Sequence, residues 1–158
     1  NDGPTGSVTI SGTAAEDQTL TLSSTVADED GIDADTVNYQ WHRDGSVISG
    51  ATDTSYTLTQ DDVGAAITVE QSYSDDFGND HSVTSTATNV VSNVNDDPTG
   101  SVTISGTANQ GSELTAVTAT LADDDGLGGL SYLWLRDGSA IDGATASTYT
   151  LIQDDVGA

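Results

Sequence analysis

The chain has 158 residues, 26 acidic side chains against two basic ones, a formal net charge of −24, and neither Cys nor Met. Nucleic acid and anionic membrane surfaces are excluded as partners, because both need Lys or Arg to neutralise phosphate. The lack of Cys removes disulfides, thiolate metal sites and Cys nucleophiles. No apolar run approaches the ~18–20 residues of a membrane span. No signal-peptide pattern opens the chain, so it is expected to be a mature product or an internal piece of something longer. An apolar content of 34% beside this charge would suit disorder. Abundant Thr and a regular Val/Ile/Leu alternation argue for β-structure instead.

In chain order, the period-two pattern predicts a first strand over 7–11, with Val8 and Ile10 on one face, and a second over 19–26, with Leu20 and Leu22 inward. The acidic, Gly-containing stretch 27–35 reads as a loop. A third strand is predicted over 37–43, placing Val37, Tyr39 and Trp41 on a shared face. Asp44-Gly45 is a hairpin pair, since Gly supplies the positive φ such turns need. A short strand at 47–48, strands at 55–59 and 66–73, a turn at 75–80 and a last strand over 82–92 complete the set. No segment carries a helical period. Seven short strands in about 94 residues point to a β-sandwich.

The pattern then starts again. TGSVTISGTA at 5–14 recurs unchanged at 99–108, and residues 43–65 return at 136–158 with 17 of 23 positions identical. The offset drifts from 94 to 93, so short loop changes separate the copies. The domains expected are therefore 1–95, a complete repeat, and 96–158, a second repeat lacking its last two strands.

Tyr39-Gln40-Trp41-His42-Arg43-Asp44-Gly45, Gly50-Ala51-Thr52, Tyr56-Thr57-Leu58 and Asp61-Asp62-Val63-Gly64 together resemble bacterial immunoglobulin-like repeats. Such repeats occur in tandem in giant secreted, RTX-type surface adhesins. The linker Asn93-Val94-Asn95-Asp96-Asp97-Pro98 and the stretch Asp28-Glu29-Asp30-Gly31 are similar to the cadherin linker and D-x-D calcium motifs. The resemblance covers the whole chain. It implies an all-β fold of tandem immunoglobulin-like, cadherin-like sandwiches in an extracellular, cell-surface, secreted setting. Departures from antibody domains are the absent Cys pair around Trp41 and the absent corner tyrosine, with Ala65 and Ala66 preceding Ile67.

In an immunoglobulin-type topology the acidic residues gather at the two ends of each domain. Asp28, Asp30 and Asp75 would lie at the entry end near Asp2, and Glu16, Asp61 and Asp62 at the exit end near Asn95, Asp96 and Asp97. Asp123 and Asp125 of the second copy face the same linker in that topology. Two carboxylates about 5 Å apart repel by roughly 0.8 kcal/mol even in water. A set of hard oxygen donors suits Ca²⁺, which takes about 6–8 of them. Ca²⁺ is accordingly the expected cofactor. Its candidate ligands are Asp61, Asp62, Asn95, Asp96, Asp97, Asp123 and Asp125, with Glu16 from the first turn and Asp2, Asp28, Asp30 and Asp75 at the entry end. The 12-residue EF-hand spacing is missing.

Other residues have plainer readings. Trp41 and Trp134 are expected in the core, Tyr56 and Tyr149 packed with a hydroxyl reaching a turn, and Arg43 and Arg136 pairing with a nearby Asp to fix a loop. His81 is expected to be exposed in a polar turn. Carboxylate pairs sit in turns and not in an apolar cleft, and no nucleophile triad, phosphate loop or HExxH is found, so no enzymatic activity is expected. The function this implies is a structural spacer in a long extracellular adhesin or fibre, its linkers stiffened by Ca²⁺, in support of cell adhesion or biofilm formation. Its partners are then the adjacent repeats of the same chain, with no nucleic acid and no membrane insertion. Two alternatives stand beside it. One is a carbohydrate- or protein-binding module, for which Tyr73 and Phe77 are the aromatic candidates. The other is a filament protomer whose second domain is completed by strands from a neighbouring subunit.

Overall fold

The computed structural model describes residues 2–158. The chain divides into two compact units, the first ending at Val94 and the second beginning at Asn95. Among the described residues there is no α-helix, and hence none long and apolar enough to cross a membrane.

The alternating residues of the first unit form β1 (Val8–Ser11), β2 (Thr19–Ser24), β3 (Asn38–Arg43), β4 (Ser46–Val47), β5 (Ser55–Thr57), β6 (Ile67–Ser74) and β7 (Asp80–Thr84). They assemble into two antiparallel sheets, β1-β2-β5 and β4-β3-β6-β7. Val8, Leu20 and Leu22 of the first sheet meet Trp41, Ile67 and Val69 of the second in one buried cluster sealed by Leu58 and Val91. The arrangement is sandwich-like. Trp41 is fully buried, and its indole N–H donates to the Asp53 carbonyl at 2.9 Å, which satisfies the one polar edge of the ring. β6 shows the alternation in full: Ile67, Val69, Gln71 and Tyr73 are buried while the residues between them are partly exposed.

The hairpin between β3 and β4 turns on Asp44 and Gly45 at φ 45° and 79°, the double positive-φ geometry of a type I′ turn. Asp137 and Gly138 repeat it in the second unit at 47° and 80°. Gly6 has a sharper requirement. Its φ is +81°, and a Cβ there would lie at 2.1 Å from the Thr25 carbonyl oxygen. Gly6→Ala is therefore expected to lower the unfolding free energy read from urea titration by well over the ~1 kcal/mol of a strain-free Gly/Ala difference. Gly45→Ala, with open space around it, isolates the φ contribution alone.

One strand departs from its expected course. The run predicted over 82–92 pairs as a strand only through β7, and the ladder then becomes irregular. Ser85 and Thr88 hydroxyls accept from the Val69 and Ile67 backbone N–H groups at 3.0 Å each, taking the place of strand carbonyls. The chain beyond leaves that sheet, so Val91 bridges Val63 and Ser92 bridges Ala15, both in parallel. Ser and Thr at these positions satisfy the backbone without regular pairing.

The second unit contains β8 (Thr103–Gly106), β9 (Glu113–Val117), β10 (Leu135–Arg136), β11 (Ser139–Ala140) and β12 (Thr148–Thr150). β8, β9 and β12 form one sheet, and β10 and β11 a hairpin. Trp134 matches Trp41 down to its hydrogen bond, donating to the Ala146 carbonyl at 2.9 Å.

Candidate functional site

Two short loops and the entering chain meet at one end of the first unit. Asp28 begins a tight turn in which its Oδ1 accepts from the Asp30 N–H at 2.9 Å, and Asp30 in turn accepts from the Asp2 backbone N–H at 2.7 Å. The turn at 75–79 is built around Asp75, whose Oδ1 takes the N–H groups of Phe77 and Asn79 while Oδ2 takes the Asn79 side-chain amide. The Asp76 N–H contacts the Asp30 carbonyl at 3.4 Å. Asp2, Asp28, Asp30 and Asp75 thus share one end of the unit.

Beneath these loops lies a polar cluster. The Tyr73 hydroxyl donates to Asp28 Oδ2 at 2.6 Å, and the His81 ring stacks on Tyr73 with centroids 5.3 Å apart. His81 Nε2 faces Asp75 at 3.5 Å and Asp28 at 3.8 Å. The Tyr73 hydrogen bond, followed by the Asp30 N–H, holds the Asp28 carboxyl below its usual range. Burial pushes the Asp75 carboxyl up, but the backbone and side-chain donors of Asn79 and the Phe77 N–H outweigh it and bring it to about 2. Burial, and then the Asp28 hydrogen bond, raise the Tyr73 phenol to about 12. Both carboxyls are therefore anions at neutral pH, suited to holding cations and poor as proton donors.

The expectation of an exposed His81 is corrected. Its side chain is only 10% exposed, because Asp80 already belongs to β7 and the ring packs against β6. Tyr73 is likewise a core residue at 2% exposure, on the buried face of β6. Phe77 is left 78% exposed without it, so the two do not form an aromatic platform.

At the other end of the unit, Glu16 is buried, and its carboxylate accepts from the Val94 N–H at 3.2 Å. With the Gln60 amide turned so that nitrogen faces it, Gln60 donates to both Glu16 oxygens at 3.0 and 2.7 Å. Asp61 is exposed. Asp62 points inward, fully buried. It accepts from Arg43 Nε at 2.8 Å, from the Tyr56 hydroxyl and the Thr59 N–H at 2.9 Å, and from the Thr59 hydroxyl at 3.2 Å. Burial raises its carboxyl, but the Thr59 backbone, Arg43 and Tyr56 outweigh it and hold it below the usual range. These protein donors engage both oxygens of Asp62 and tie it into the turn. Asp155 repeats the arrangement with Arg136, Tyr149 and the Ile152 N–H. The Tyr and Arg roles read from the sequence, hydroxyl to a turn and guanidinium to an Asp, are present in both units.

In the second unit, Asp125 accepts from the Asp96 N–H at 2.8 Å, and the Asp125 N–H donates to Asp123 Oδ1 at 3.0 Å. These two bonds reproduce the Asp2–Asp30 and Asp30–Asp28 bonds of the first unit. The Asn95 amide donates to the Asp96 carbonyl at 2.9 Å, and Asp97 is exposed. Sequence reasoning missed Gln60 and Asn79, whose amides tie acidic loops. Their only signal was position, Gln60 before a paired Asp and Asn79 four residues after Asp75. Comparison of the chain with protein-family models, curated proteins and solved structures finds no match.

Proposed function

We propose that the chain is a pair of structural spacer repeats from a long extracellular adhesin or fibre, each gripping its entering segment through an acidic loop that Ca²⁺ stiffens. The observation that carries this reading is the repeated grip itself. In both units a D-x-D loop closes on itself, and its second Asp accepts a backbone N–H from the entering chain, at 2.7 Å for Asp2 and 2.8 Å for Asp96. The geometry is kept in two copies, and in the second it lies where one repeat follows another, which supports a role in how repeats are joined.

The donor set fits calcium. Asp2, Asp28 and Asp30 in the first unit, and Asp96, Asp123 and Asp125 in the second, offer only carboxylate oxygens, the hard ligands that Ca²⁺ takes at about 2.3–2.6 Å. A divalent cation would offset the mutual repulsion of anions held in one loop, in a chain already carrying a net charge of −24. Asp62 and Asp155 each hold an Arg and a Tyr within their own unit, and Glu16 ties the exiting chain at Val94. Cell adhesion or biofilm support follows as the role of such spacers, with adjacent repeats as the partners.

Small-angle scattering of the chain in millimolar Ca²⁺ and then in EGTA tests the reading, alongside calorimetric titration of Ca²⁺. The expected result is saturable binding, lost in an Asp30→Asn, Asp125→Asn double variant, with a scattering profile that becomes that of a more flexible particle on chelation. Binding that survives the double variant, or a profile indifferent to chelation, overturns it.

A further inference from the structure

We infer that the first unit carries a transition-metal site of the Zn²⁺ class, made by His81 Nε2, Asp28 Oδ2 and Asp75 Oδ2 beneath its entry-end loops. This goes beyond the spacer reading and does not depend on calcium.

The inference starts from buried charge that no basic side chain balances. The side chains of Asp28 and Asp75 are fully buried, and their hydrogen bonds hold both carboxyls below the usual range. Buried charges are paired or coordinate metals. The chain has only two Lys or Arg side chains, and both are committed elsewhere, Arg43 to Asp62 at 2.8 Å and Arg136 to Asp155 at 2.6 Å. What faces the two carboxylates is one imidazole nitrogen. His81 Nε2 lies 3.5 Å from Asp75 Oδ2 and 3.8 Å from Asp28 Oδ2, on a side chain only 10% exposed. The atom is buried and has no hydrogen-bond partner.

The separations suit a shared ion. Zn²⁺ takes imidazole nitrogen at about 2.0–2.1 Å and carboxylate oxygen at about 2.0–2.2 Å, so tetrahedral angles put neighbouring ligand atoms about 3.4 Å apart. The nitrogen selects the metal, because Ca²⁺ takes oxygen ligands whereas imidazole suits Zn²⁺, Cu²⁺ and Ni²⁺. Each ligand is also held from behind. The Tyr73 hydroxyl donates to Asp28 Oδ2 at 2.6 Å, the Asn79 amide donates to Asp75 Oδ2 at 2.7 Å, and the His81 ring stacks on Tyr73. Such outer contacts orient metal ligands. Asp28 serves two neighbours at once, turning Oδ1 to the Asp30 N–H and Oδ2 to this cluster. Three protein ligands leave the fourth tetrahedral position to water. The ion ties β7 to both entry-end loops.

Calorimetric titration of Zn²⁺ into the whole chain, with millimolar Ca²⁺ present to fill oxygen-only sites, tests the inference together with proton–nitrogen correlation spectra of the histidine rings. The expected result is one Zn²⁺ per chain and a shift of the His81 Nε2 signal while those of His42 stay in place. His81→Phe keeps a ring beside Tyr73 and removes the nitrogens, and it should weaken binding at least about tenfold, the low end of what even outer contacts cost a metal site. His42→Phe should bind as wild type does. The ring spectra are read on the unaltered chain, so they decide the matter even where a variant fails to fold. Zn²⁺ binding that millimolar Ca²⁺ abolishes overturns the proposal, as does binding that leaves His81 Nε2 unshifted or survives His81→Phe undiminished. Absence of Zn²⁺ binding also overturns it, and a His81 ring protonated on both nitrogens would then be the cation between the two carboxylates.

Discussion

Asp62→Ala should destabilise the first unit by about 3–5 kcal/mol, the range for removing one partner of a buried, hydrogen-bonded charge pair. Four donors converge on this carboxylate from three places in the chain: Arg43 at the end of β3, Tyr56 in β5, and the N–H and hydroxyl of Thr59. Alanine leaves all four without their acceptor. The guanidinium, with its side chain 31% exposed, can turn to water, but the Tyr56 ring packs beside Trp41 with centroids 5.9 Å apart, so its hydroxyl has less freedom to do so. Two controls separate the contributions. Tyr56→Phe removes one neutral donor and should cost about 1.5 kcal/mol, near the lower end of the range for bonds to charged groups. Asp62→Asn keeps the shape but aims an amide N–H₂ at a set of donors, so it should fall closer to Ala than to wild type. Urea unfolding followed by Trp fluorescence reads all three. An alanine variant within about 1 kcal/mol of wild type would show that water replaces the carboxylate and that the turn does not depend on it.

The same residues show what a sequence can disclose here. Alternation placed Val8, Leu20, Leu22 and Trp41 in the core because a half-buried strand leaves a period-two record, and Asp44-Gly45 disclosed its hairpin because few residue pairs tolerate two positive φ values. The domain-end acidity was legible as a cluster, but the division of labour inside it was not. Asp61 and Asp62 are indistinguishable as letters, and one is exposed while the other is fully buried. The difference comes from Arg43 and Tyr56, brought to Asp62 by strand pairing between distant segments. His81 was misplaced for a related reason, and so was Tyr73 as a surface aromatic, although the strand read over 66–73 includes it. Polar neighbours made their surroundings look like a solvent loop, whereas the register of β6 and β7 runs on through Tyr73–His81 to Ser74–Asp80. Ser85 and Thr88 interrupted a run that alternation alone would carry to 92.

Tyr73 gives the second large expectation, a stability profile limited at both ends of the pH scale. Asp28, Asp62 and Asp75 all have carboxyls held below their ordinary value of 3.8, Asp75 at about 2. Below 3.8 the unfolded chain therefore takes up protons more readily than the folded one. The stability these groups contribute is present above that value and is lost as pH falls towards 2. Tyr73 works in the opposite sense. Its phenol is raised from 10.0 to about 12, so its contribution is complete below pH 10 and is lost as pH climbs through 12. A competing effect acts on the acid side, because protonation relieves the self-repulsion of a chain with a net charge of −24 and so favours the compact state. The comparison that isolates the local effect is Tyr73→Phe, which leaves the net charge at neutral pH untouched. Without the hydroxyl, Asp28 loses the strongest influence holding its carboxyl down, and the variant should show a shallower fall between pH 3.8 and 2. It should also lose part of the alkaline decline between pH 10 and 12. Equilibrium unfolding at closely spaced pH values gives both slopes. If wild type and variant run parallel at both ends, the buried Tyr73–Asp28 bond is not what links this fold to protons, and overall charge governs the profile.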